Sequence, residues 1–148
     1  MNKRVCDSYT EQVHVLTLSN INGHNSLFGG QLLSWIDEVA AVVARRHSGH
    51  NVVTAAIDRL EFKKPAKPND TVVLHGHITY AGTTSMEVKV NSYVEKLDGS
   101  RVLINEAYIV MVAVDENDRP TKVPGLIVET DKEREEWASA EFRRNNRV

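Results

Sequence analysis

The sequence predicts an α+β protein, with an antiparallel sheet of about five strands wrapped round one long central helix. Three observations predict it. From Leu32 to Val43 the apolar residues Leu32, Leu33, Ile36, Val39, Ala40 and Val43 recur three and four apart, as one helix face requires. Trp35, Ala41, Val42 and Ala44 put more apolar surface off that face, so the helix is expected to be buried on most sides. Four strand-like stretches then follow one another through short turns, the pattern of consecutive antiparallel strands. One sheet covers a helix on one side only, so a second copy of the chain is expected to complete the enclosure.

In chain order, residues 1–12 are polar and read as loosely held. Val13 to Leu18 reads as a first strand, with Val13, Val15 and Thr17 on one side. An Asn/Gly/Ser-rich loop leads into the helix, which should end near Arg45, Arg46 and His47, where positive charge suits the C-terminus. Ser48 to Asn51 is a turn. Val52 to Phe62 reads as a strand, and two prolines between Lys63 and Asp70 break it. Thr71 to Tyr80 alternates, with Val72, Leu74, Ile78 and Tyr80 against His75, His77 and Thr79. Ala81 to Thr84 turns the chain. Ser85 to Lys96 alternates most cleanly, with Met86, Val88, Val90 and Val94 on the apolar face. Leu97-Asp98-Gly99-Ser100 signals a hairpin, and Val102 to Val114 is apolar almost throughout, as a central strand would be. One domain is therefore expected over 1–126. Residues 127–148 form a charged tail read as helical, which either lies on a partner or frays in water.

Composition narrows the function. At 148 residues the chain suits one domain with a real core, and 41% hydrophobic with 26% charged residues describes a globular protein. A formal net charge of −2 gives no general pull toward nucleic acid or an anionic membrane, so a polyanionic ligand needs a local basic patch. The single cysteine, Cys6, excludes an intramolecular disulfide and a cysteine-rich metal site. The N-terminus lacks the apolar segment of a secretory signal, and no apolar run approaches the roughly 20 residues of a membrane span. The expected compartment is the cytoplasm.

The chemistry concentrates between Asn22 and Glu38. Asp37 lies four residues after Leu33 and three before Ala40, on or beside the apolar stripe, where a carboxylate is out of place unless it is used. Phe28-Gly29-Gly30 falls at the helix start, where backbone N–H groups lack intrahelical partners and the dipole is positive. Glycines there let a ligand oxygen approach closely. A carbonyl bound at that point, with a carboxylate two turns along, suits attack on an acyl group. His75 and His77 share a strand face, but with no third ligand apparent they predict no metal site. No Gly-x-Ser-x-Gly elbow is present, so a serine triad of the α/β-hydrolase kind is unsupported.

This layout, with Asn22 six residues before Phe28, then Phe28-Gly29-Gly30 and Asp37, resembles the hotdog-fold acyl-CoA thioesterases, in the branch of YciA and brain acyl-CoA hydrolase. The resemblance runs from about Thr17 to Pro124. It takes in Val53-Thr54, the strand end at Phe62 and Pro65, the Gly82-Thr83-Thr84-Ser85 turn, and Val112-Ala113-Val114-Asp115 with Arg119-Pro120. It implies hydrolysis of an acyl-CoA thioester to a free acid and CoA, with no cofactor, in a homodimer that can assemble into a hexamer of three dimers. It also implies that Asn22 and Asp37 act together across the dimer interface, one from each subunit. Asn25 stands where the family pattern usually has Gly, which leaves Asn25 and Asn20 as alternatives to Asn22. Asp37 would serve as general base or as nucleophile, with the Gly30 N–H stabilising the oxyanion. Phe28, Gly29, Arg59, Lys63, Lys64, Gly82, Thr83, Thr84 and Ser85 are the expected substrate and CoA contacts. A non-catalytic acyl-CoA sensing module is the alternative. A hotdog dehydratase is the weakest reading, because the helix carries Asp37 and no His before His47.

Overall fold

The structure, a computed structural model, describes residues 1–147. Strands β1 (Lys3–Arg4) and β2 (Thr10–Val15) precede helix α1 (Gly29–Ser48). Then come β3 (Asn51–Phe62), β4 (Thr71–Ala81), β5 (Ser85–Glu95), β6 (Arg101–Val114), β7 (Leu126–Ile127) and helix α2 (Asp131–Asn145). The main sheet has the order β2-β4-β5-β6-β3 and is antiparallel throughout, while β1 and β7 make a small parallel pair. The expected hotdog arrangement is thus present, with β2 and β3 as its free edges.

Helix α1 forms where the apolar repeat places it, and its inward stripe is dry. Leu32, Ile36, Val39, Ala40, Val43 and Ala44 are buried against Val72, Leu74, Ile78, Met86, Val88, Val90, Ile109 and Met111 on the sheet. The close approach of helix to sheet is made possible by Gly76 on β4. A Cβ there would stand 2.5 Å from Val39 Cγ1 and 3.0 Å from Val43 Cγ2. Arg45, Arg46 and His47 occupy the last turn, and Gly49 ends the helix in left-handed geometry at φ 71°.

Expectations are corrected at the N-terminus, the first strand and Tyr80. The N-terminus is held, not loose: Lys3 N–H donates to Gly125 O at 3.0 Å, β1 pairs with β7, and Val5 and Ser8 are buried. The first strand is Thr10–Val15, not Val13 to Leu18, because Leu16 leaves the ladder to bury itself in the core and bonds to Asp70 O. Val13 and Val15 share a face as expected; it points away from α1, and Gln12 and His14 face the helix, with His14 stacked on Trp35 at 3.9 Å. Tyr80 does not share the face of Ile78. A register shift between Ile78 and Tyr80 turns it outward, onto Trp137 of α2 at 4.2 Å.

The charged tail is a helix that lies on its own sheet. Thr130 caps it by accepting the Glu133 N–H at 3.0 Å. On the outer sheet face Glu136 meets His77 at 2.9 Å, Arg143 meets the buried Glu87 at 2.7 Å, and Arg147 forks onto Asp58.

Candidate active site

The loop before α1 is shaped by its own asparagines. The Asn22 side-chain oxygen accepts the N–H of His24 at 2.8 Å and of Ser26 at 3.2 Å, while Asn22 N–H donates to Ser26 O at 2.8 Å. Asn25 takes the left-handed conformation at φ 57°, which Asn tolerates better than most residues, so its presence leaves the turn intact. Closing the loop uses the acceptor half of the Asn22 amide and leaves its Nδ2 donor unused by the loop. Asn20 is occupied elsewhere: its Oδ1 accepts from Thr17 N–H at 2.8 Å.

The helix start is open. Phe28 is the N-cap residue and makes no side-chain cap, and the first turn holds no acidic residue. The N–H groups of Gly29 and Gly30 therefore project from the positive end of α1 without intrahelical acceptors. The Phe28 ring folds back over Gly30, where a Cβ would stand 2.7 Å from Cε2. Glycine at this position lets that exposed ring lie beside bare backbone.

Asp37 is half-buried on α1, and its Oδ1 accepts the Thr54 hydroxyl of β3 at 2.7 Å. Thr54 also lies 3.5 Å from Met111 Sδ. Glu38 faces water. Thr54 is a neighbour of the candidate site that sequence reading missed. Its only signal there was membership of the Val53-Thr54 strand.

The structure divides the expected residues between two places. At the β3 C-terminal end, Gly29, Leu32, Phe62, Lys64, Pro65 and Ile104 line a groove of about 480 Å³. Lys63 and Arg59 lie on that side too, each paired with Glu61, at 3.0 and 3.2 Å. The Gly82–Ser85 turn lies at the other end, since Met86 pairs with Met111 and Met111 with Thr54. This turn is well engaged: Thr83 O and Thr84 O accept from Val123 and Ala113, and the Arg144 guanidinium fills the space beside Gly82. From Thr54 to Lys63 the strand covers about 30 Å at 3.3 Å per residue. Gly30 and Asp37 are likewise about 10 Å apart along α1 at 1.5 Å per residue. One chain therefore does not assemble all the expected groups on one thioester.

His75 and His77 each go to a carboxylate, Glu11 and Glu136 respectively, both at 2.9 Å. Burial holds the His75 pKa down, against the pull of Glu11. Burial pushes the Glu136 carboxyl up, but the His77 hydrogen bond and nearby charges outweigh it, leaving it below its ordinary value.

A sheet wrapped round one helix that carries a half-buried carboxylate and an uncapped glycine start defines a hotdog domain of the thioesterase class. The chain belongs to the thioesterase superfamily, whose family profile matches residues 24–99. It is 42% identical over 113 residues to YkhA of Bacillus subtilis, named as an uncharacterised acyl-CoA thioester hydrolase, covering 76% of this chain and 66% of that one. It is 28% identical over 139 residues to the cytosolic acyl coenzyme A thioester hydrolase of Rattus norvegicus, spanning 92% of this chain but only 36% of that relative. Among solved structures, an apo-hexameric acyl-CoA thioesterase superposes with a TM-score of 0.95 at 38% identity, covering 99% of this chain and 94% of the other. The acyl-CoA hydrolase of Staphylococcus aureus, solved with butyryl coenzyme A and coenzyme A, gives 0.94 at 34% identity, covering 99% and 90%. That hydrolase has also been solved with an Asp, a Thr and an Asn each changed to Ala. No helix among the described residues is long and apolar enough to cross a membrane.

Proposed function

We propose that this chain hydrolyses acyl-CoA thioesters to a free carboxylic acid and CoA, as a dimer in which each site draws on both copies. The observation that carries the reading is the Asp37 carboxylate, half-buried in the central helix and held by the Thr54 hydroxyl. Relatives that act on acyl-CoA support the substrate class. The Asn, Asp and Thr altered in the S. aureus hydrolase are spaced along its chain as Asn22, Asp37 and Thr54 are here.

The dimer is supported by the free edge of β3, twelve residues of strand with unpaired backbone groups on one side. Two such edges pairing antiparallel about a two-fold axis bring the Phe62 end of one strand to the Thr54 end of the other. The Asn22 loop, the open helix start and Lys63 and Lys64 of one copy then approach Asp37, Thr54 and the Gly82–Ser85 turn of the second. The lysines and Arg59 supply local positive charge for the CoA phosphates, and the groove beside Gly29 takes apolar substrate.

In the reaction Asp37 either removes a proton from water as that water attacks the thioester carbon, or attacks the carbon itself. The first route forms a C–O bond from water and breaks C–S, and the CoA thiolate leaves and takes up a proton. The second expels the thiolate to give a mixed anhydride, which water then hydrolyses. In both, Gly30 and Asn22 come from the copy opposite Asp37: the Gly30 N–H stabilises the developing oxyanion, and Asn22 orients the carbonyl or the water through Nδ2. The reading extends to a cytoplasmic enzyme of lipid metabolism, in keeping with the cytosolic name of the rat relative, and to further assembly of dimers into a hexamer, as in the hexameric solved relative.

The test is release of free CoA thiol from a panel of acyl-CoAs of rising chain length, with wild type beside Asp37→Asn. Turnover that falls by about 10²–10⁴ in the variant supports the reading. Tight acyl-CoA binding with no turnover in either protein would replace it with the sensing module.

A further inference from the structure

Helix α2 crosses the outer face of the sheet from one side to the other, and its contacts trace the path. Glu136 meets His77 and Trp137 meets Tyr80, both on β4. Arg143 meets Glu87 on β5 and sits 3.7 Å over the Tyr108 ring of β6. Arg147 ends the path on Asp58 of β3. The C-terminus of α2 is thus delivered to the free edge strand, and to its middle: Asp58 lies near the centre of Asn51–Phe62. Asp58 also falls at the register shift between Ile57 and Arg59, where the β3–β6 pairing skips a residue.

Ser139 and Phe142, three apart on α2, and the C-cap residue Asn146, four further on, form one stripe. They share a cavity of about 560 Å³ with Asp58 and Arg59 at the strand edge. Phe142, an aromatic ring in a helix that is otherwise mostly charged, is 69% exposed there. The ring stands beside the unpaired edge of β3, where whatever pairs with that edge comes within its reach.

We infer that α2 is part of the dimer seam, and that the occupant of this cavity is the same stripe of a second copy. This rests on the β3-edge dimer proposed above. A two-fold axis through the middle of β3 sets Asp58 near its own copy, so whatever α2 presents at Asp58 meets itself across the axis. Such an isologous patch must be self-complementary. Phe142 supplies apolar surface to both sides, while the Asp58–Arg147 pair supplies both signs of charge. The charged tail then acts as a clasp: it binds its own sheet through ion pairs and the second copy through Phe142. Because Asp37 and Asn22 meet only across that seam, the clasp maintains the active site from the opposite face of the sheet.

The experiment compares the full chain with Phe142→Asp by sedimentation velocity across a range of concentrations, with unfolding followed in parallel. The expected result is a variant that folds but dissociates at concentrations at least about tenfold higher than wild type, with turnover lost in step and regained on concentrating the protein. Asn146→Cys, in a Cys6→Ser background, is expected to join two chains through a short thiol cross-linker, whereas Lys132→Cys at the far end of α2 does not. A wild-type dimer with an equally stable Phe142→Asp dimer and no cross-link at position 146 overturns the inference while leaving the β3 dimer standing. A wild type that stays monomeric overturns both.

Discussion

The Thr54 hydroxyl donates to Asp37 Oδ1 at 2.7 Å, joining the middle of the central helix to the edge strand of the sheet. The bond fixes one carboxylate oxygen and the rotation of the side chain, so the second oxygen faces a defined direction. A base or nucleophile held this way loses little freedom when it reacts. Thr54→Val removes the donor and keeps the shape. It is expected to lower kcat about tenfold, the equivalent of one hydrogen bond of roughly 1.4 kcal/mol, with KM little changed. Thr54→Ser should restore most of the loss. Steady-state kinetics of the three proteins on one acyl-CoA decide it, and an unaltered Thr54→Val enzyme would remove Thr54 from the site.

The packing of α1 on β4 leaves no room at Gly76. Its missing side chain is replaced by the γ-carbons of Val39 and Val43, both fully buried and each fixed by a branched Cβ. Gly76→Ala must push the helix from the sheet or strain both valines, at a cost of about 1–3 kcal/mol. Urea unfolding should show a lower midpoint with an unchanged slope. Because the displaced helix carries Asp37, turnover should fall as well.

The fold was legible wherever a local period reported a face. Leu32 through Val43 announced the helix, and Met86, Val88 and Val90 announced the core side of β5. Asp37 was legible for the same reason, as a carboxylate beside an apolar stripe. What stayed hidden depended on partners distant in sequence. Thr54 looks like any strand threonine until β3 is laid beside α1. The outward turn of Tyr80 comes from a one-residue register shift that alternation does not reveal. That Val13 and Val15 lie on the outer side of an edge strand depends on how β2 pairs with β4. The tail read as lying on a partner or fraying in water, because the residues that balance its charges sit far away in sequence on the sheet, such as Glu87 for Arg143, 56 positions earlier.

That pair is expected to matter for stability more than the other ion pairs of α2. The Glu87 side chain is 4% exposed and Arg143 19%, and the Thr79 hydroxyl donates to Glu87 at 2.6 Å. Burial disfavours the Arg143 charge, and Glu87 outweighs it, holding the guanidinium above its ordinary pKa. Arg143→Ala leaves a buried carboxylate with one hydroxyl for company, which costs about 3–5 kcal/mol. Arg134→Ala, at an exposed pair with Asp131, is the control and should leave the urea midpoint almost unmoved.

Acid should weaken the protein in a window set by its buried histidines. His47 is fully buried, and its Nε2 lies 2.8 Å from Pro124 O, so the neutral ring donates there. Nδ1 has no partner among the described residues. Burial holds the His47 pKa below the ordinary value, and the Pro124 bond only partly opposes it. Burial shifts His14 and His75 in the same direction. The unfolded chain takes up these protons near pH 6.5, where the folded chain still refuses them. Above that pH both states are neutral and the histidines give stability no slope. As pH falls below it, the unfolded state binds more protons and stability declines, levelling off once the folded pKa is passed. Urea midpoints measured from about pH 7.5 to 5 should trace this decline, with a shallower slope in His47→Gln. An equal slope in the two proteins would mean that His47 accepts its proton in the folded state, with α1 and Pro124 moving apart to admit water.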